Sequence, residues 1–64
     1  MAEIRNEKAE KIIYELRRKY SGDRDAQEEI DRAVESILYY EQRGEDEKAL
    51  THAVVLSNFL HDWY

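Results

Sequence analysis

The chain has no cysteine, no proline and only two glycines in 64 residues. Without cysteine there is neither a disulfide framework nor a thiolate zinc site, so stability has to come from helix packing or from a partner. Long apolar runs are also missing. Nothing approaches the roughly 18 residues of a membrane-spanning helix, and the opening stretch MAEIRNEKAEK lacks the apolar centre of a signal peptide. No membrane partner is expected, and no compartment is legible. An excess of basic charge is the last absence. The formal net charge is -5, whereas phosphate binding needs a basic face whose counterion release supplies the affinity. The one basic cluster, Arg17, Arg18 and Lys19, suits a helix end, where it complements the negative pole of the helix dipole. Nucleic acid is therefore not an expected partner.

What remains is a chain with 39% charged and 42% hydrophobic residues, apolar enough for a compact fold and too apolar for a disordered one. At this length there is one domain, and it buries only about 60% of the surface of its unfolded chain, so the core is thin. Gly22 and Gly44 split the sequence into three segments of similar length. Each glycine is expected to close a helix from the left-handed region, with Asp23 (Asp25 competing) and Asp46 capping the helices that follow. The expected fold is all-α: an up-down-up three-helix bundle with helices over about 2–20, 24–43 and 46–64. In the first segment Ala2, Ala9, Ile12, Ile13, Leu16 and Tyr20 share one side of a helix with 3.6 residues per turn. In the second, Ala26, Ile30, Ala33, Val34 and Ile37 do the same, with Leu38 and Tyr40 at the margins.

The third segment has two apolar sides. One carries Ala49, Leu50, Ala53, Ser57, Leu60 and Tyr64, with Val54 and Leu56 at its edges. Roughly 150° around the same helix lie His52, Val55, Phe59 and Trp63, bordered by Thr51, Asp62 and again Leu56. A bundle of three short helices cannot enclose one of its own members, so part of this apolar surface is expected to face out. Contiguous exposed patches of several hundred Å² mark interaction sites. A bland role for Trp63, folded over the bundle end, competes with a place at an interface. Two neighbours can widen the patch: Ile4 and Tyr14 from the first helix, with Tyr14 level with Asn58 and Phe59, or Leu38 and Tyr39 from the second, level with Thr51 and His52.

Little in the sequence suits catalysis. His52 and His61 are nine residues apart and face different ways, so they cannot share a metal as an i, i+4 pair would. There is no Glu-x-x-His pair, no nucleophile motif and no glycine-rich loop. The carboxylates lie among Lys and Arg at spacings such as Glu7 with Lys11 and Glu15 with Lys19, which support helices and solubility. Neither an enzyme nor a bound cofactor or metal is expected.

The stretches RKYSGDRDAQEEI and EQRGEDEKAL, with their Gly-Asp and Gly-Glu-Asp loops, sit in a chain of which about half is Ala, Glu, Lys, Leu and Arg. In this the chain resembles de novo designed three-helix mini-protein binders. The resemblance implies a rigid scaffold, monomeric when free, that presents one or two helix faces to a target protein such as a receptor ectodomain or a viral surface protein. Against that background THAVVLSNFLHDWY departs from the residues that stability alone would choose, as functional positions do. The expected binding residues are Phe59 and Trp63 as aromatic anchors, Val55 and Leu56 as apolar support, His52, Asn58 and Asp62 as orienting polar contacts, and Tyr14 as a flanking contact. The competing expectation is a structural homodimer built through the same face.

Overall fold

The structure is a computed structural model that describes residues 4–63. Three helices, α1 (Glu7–Lys19), α2 (Arg24–Gln42) and α3 (Asp46–Trp63), form an up-down-up bundle with a radius of gyration of 11.0 Å. The pair α2 and α3 is packed most extensively and α1 leans mainly on α3. Tyr20, at the end of α1, donates its hydroxyl proton to the Leu60 carbonyl near the end of α3 at 3.2 Å, so α1 and α3 run in the same direction.

The core is a single cluster: Ala9, Ile13 and Leu16 from α1, Ala26, Ile30 and Ile37 from α2, and Ala49, Ala53, Leu56 and Leu60 from α3. Its alanines allow close approach of the backbones, while Ile30, Ile37 and Leu60 fill the space between them. Each such side chain taken fully from water contributes about 1.5–3 kcal/mol. Ile12, Tyr20, Ala33, Val34, Tyr40 and Leu50 pack half-buried around the cluster. Val54, at the margin of the inward side of α3, is exposed.

The ends of the helices differ from expectation in ways that have physical causes. Helix α1 begins at Glu7 and not near residue 2, because the Asn6 side chain accepts the Ala9 N–H at 3.0 Å and caps it there. The segment before it is held by Glu41, a carboxylate only 5% exposed, which accepts the Arg5 N–H at 3.0 and 2.9 Å and the Asn6 N–H at 2.7 Å. Ala2 and Tyr64, placed in core stripes by their spacing, lie outside the described residues. Asp23 caps α2 as expected, accepting the Ala26 N–H at 3.0 Å. Helix α2 stops at Gln42, and Gly44 follows with a φ of 76°. There the Gly44 N–H donates to the Glu41 carbonyl and the Glu45 N–H to the Tyr40 carbonyl, the paired bonds of a left-handed helix stop.

Gly22 behaves otherwise, since its φ is not positive. The closure of α1 comes from the Asp23 N–H, donated to the Tyr20 carbonyl at 3.0 Å, and from the side-chain amide of Gln27, which donates to the carbonyls of Tyr20 at 2.9 Å and Arg17 at 3.2 Å. Asp46 is the first residue of α3 and not its cap; with Glu47 it places negative charge in the first turn, where the helix dipole favours it. The preceding Glu45 instead joins two cations, Arg43 at 3.3 Å and Lys48 at 3.0 Å. The i, i+4 pairs Glu7 with Lys11 and Glu15 with Lys19 do not close among the described residues, whereas Arg17 reaches across to Asp31 at 2.8 Å. Exposed ion pairs are worth about 0–1 kcal/mol, so the fold does not depend on which ones form.

Candidate functional site

On one side of the bundle, between α2 and α3, lies a groove of about 300 Å³. From α3 it is lined by His52, Val55, Leu56 and Phe59, and from α2 by Glu29, Arg32, Ala33 and Ser36. The helical period explains the set: His52, Val55, Leu56 and Phe59 recur at steps of three and four, as do Glu29, Arg32 or Ala33, and Ser36. The two small side chains of α2 stand opposite the larger ones of α3, and this inequality of size makes the hollow. Leu56 is buried and forms its floor, so it serves both the core and the groove.

The walls remain apolar and open. Val55 is 57% exposed, Phe59 52% and Trp63 45%, and the Phe59 and Trp63 rings lie 5.7 Å apart between centroids at 42°. A tilted aromatic pair at that distance is attractive, about 0.5–1.5 kcal/mol beyond burial, so each ring restrains the other. At the loop end, the His52 ring lies 5.2 Å from that of Tyr40, at 35°. Tyr39 meets Tyr40 edge-on at 5.5 Å and holds the Arg43 guanidinium over its own ring at 5.4 Å, with a 2.8 Å hydrogen bond from Arg43 to its hydroxyl. Towards the other end of α2, Arg32 donates to Glu29 at 3.2 Å. The two charges that α2 brings to the groove therefore neutralise each other beside the apolar residues of α3.

Of the residues expected at a binding face, His52, Val55, Leu56 and Phe59 are brought together in the groove. Asn58 and Asp62 are exposed on α3 beside Phe59, and Trp63 extends the same side to the end of the helix. Tyr14 stands elsewhere. It is exposed on α1, one turn before Arg17, whose side chain is turned to α2, and it does not line the groove. The helix beside the α3 face is α2, yet the residues it contributes are neither Leu38 nor Tyr39. The spacing of Ala33 assigns it to the core stripe, and nothing in the apolar or charge pattern singles out Glu29, Arg32 or Ser36. The one signal for this side of α2 is the pair of small residues a turn apart, Ala33 and Ser36.

Among the described residues, no group of three His, Cys, Asp or Glu side chains is placed to hold a metal ion, and no helix is long and apolar enough to cross a membrane. Neither a family model, nor a curated protein, nor a solved structure matches the chain. The functional reading accordingly rests on the groove and its rim.

Proposed function

We propose that this chain is a protein-binding module, of the designed three-helix kind it resembles, that grips a target protein with the outward face of α3 and the adjoining side of α2. The single observation that carries the reading is the row Val55, Phe59 and Trp63, each about half exposed, beside a groove floored by Leu56. Large apolar side chains left together in water cost solubility and add nothing to the core, so a covering surface is the physical reason to keep them. Phe59 and Trp63 act as anchors and the groove accepts an apolar side chain of the target. His52, Ser36, Asn58 and Asp62 supply the polar rim that orients it. A receptor ectodomain or a viral surface protein is the class of target this scaffold style suits. The role is binding rather than catalysis, with no cofactor involved.

The test is capture from a panel of purified extracellular proteins by the immobilised chain. A target retained by the wild type and lost with Phe59→Ala and with Ser36→Arg, both still helical, supports the proposal. Retention that ignores both substitutions places binding elsewhere on the molecule. Failure to retain any member of a broad panel counts against the reading.

A further inference from the structure

Lys48, Val55 and Asp62 follow one another at intervals of seven residues on α3. Seven residues are almost two whole turns, so the three side chains form a line along the helix, with a cation about 10.5 Å to one side of Val55 and a carboxylate about 10.5 Å to the other. Such a line is complementary to itself when reversed. We propose that a second copy of this chain covers this face, α3 packing antiparallel on α3 about a two-fold axis at Val55. In that register Lys48 meets Asp62 of the second copy, His52 meets Asn58, Thr51 meets Phe59, and the axis repeats every contact on the other side.

Charge selects the direction. A parallel pair sets Lys48 against Lys48 and Asp62 against Asp62, whereas the antiparallel pair replaces both repulsions with attractions, as flanking charges do in helical dimers. The residues are placed to take part. Val55 and Asp62 are exposed, and the carboxylate of Asp62 has no hydrogen bond or ion pair among the described residues. Lys48 is held by Glu45 and lies 6.0 Å from the centroid of the Tyr40 ring, but Arg43 also holds Glu45, so Lys48 can turn outward without stranding that carboxylate. Phe59 and Trp63 show only about half of their roughly 150–250 Å² each. That is far below the ~800 Å² that a stable interface takes from each partner. The pair is therefore weak, with the chain monomeric at micromolar concentration and dimeric towards about 1 mM. The inference does not rest on the target-binding reading; a bound target and a second copy compete for the same face.

Sedimentation equilibrium from ~20 µM to ~2 mM tests it. The mass should climb from 7.7 kDa towards twice that value. Lys48→Asp and Asp62→Lys should each weaken dimerisation about tenfold or more, and the double variant should recover to within about threefold of wild type. Asp62→Lys makes the molecule less negative, so general repulsion alone would strengthen its association; weakening is specific to the pairing. Unchanged helicity by circular dichroism keeps the comparison valid, and Lys48→Ala with Asp62→Ala, each weaker than wild type, replace any variant that loses helix. A mass of 7.7 kDa throughout, a tighter Asp62→Lys dimer or a double variant without recovery overturns the proposal. Capture of a target at low micromolar concentration should be indifferent to Lys48→Asp, so the two readings can fail separately.

Discussion

Two glycines of similar appearance in the sequence do different work. Gly44 sits at a φ of 76°, where a side chain is strained whatever the free space around it, while Gly22 has an ordinary φ and nothing within 4 Å of where a Cβ would stand. Gly44→Ala should therefore destabilise the protein by about 1–2 kcal/mol. Gly22→Ala should be neutral or stabilising by up to about 1 kcal/mol, because it restricts the unfolded chain more than the folded one. Urea denaturation of the two variants separates them, and equal losses would show that both turns need glycine. The sequence could not make this distinction, since both glycines follow a basic or aromatic helix end and precede an acidic residue. What differs is Gln27, seven residues beyond Tyr20, whose amide joins the Asp23 N–H on the Tyr20 carbonyl and relieves Gly22 of closing α1. Asp23, by contrast, was legible as a cap, because capping depends on neighbours within one turn.

Among the elements, α3 carries the clearest division of labour. Leu56 and Phe59 are three residues apart on one helix and both line the groove, yet one is buried and the other about half exposed. Leu56→Ala should cost about 2–4 kcal/mol through the cavity it leaves. Phe59→Ala should cost less than about 1 kcal/mol while removing binding. Thermal unfolding of the two variants checks the contrast, and a similar drop in both would move Phe59 into the core. The two-sided pattern of α3 was visible from its spacing alone, since helical period converts sequence into direction. The contribution of α2 was not. Which of two helices stands beside a face depends on how the bundle turns, and neither helical period nor composition fixes that. Val54 and Leu56 stand at the two edges of the inward stripe, yet the first is exposed and the second buried, because at an edge a few degrees of rotation decide between burial and water.

At the scale of the molecule, a thin core leaves stability dependent on a few long-range ties, and Glu41 makes the most unexpected of them. Its partners, Arg5 and Asn6, are 36 and 35 residues away in sequence. No local pattern announces such a contact, and in the sequence Glu41 is one more acidic residue near the end of a charged helix. Glu41→Ala leaves the two N–H groups to find water at a partly buried site, and should cost about 1–3 kcal/mol in denaturant unfolding. Glu41→Gln, which keeps an oxygen but loses the charge and the second acceptor, should fall between the two.

The same tie alters how the chain exchanges hydrogen with solvent. Residues just ahead of a first helix ordinarily fray, and their amides exchange almost as fast as in a free peptide. Here the Arg5 and Asn6 amides are bonded to the Glu41 carboxylate at the far end of α2, so their protons can leave only when that tie opens. Amide exchange followed by NMR should find both slowed well below the free-peptide rate, and lost to solvent at once in Glu41→Ala. Two positions outside any helix would then report how often the segment ahead of α1 lets go of α2.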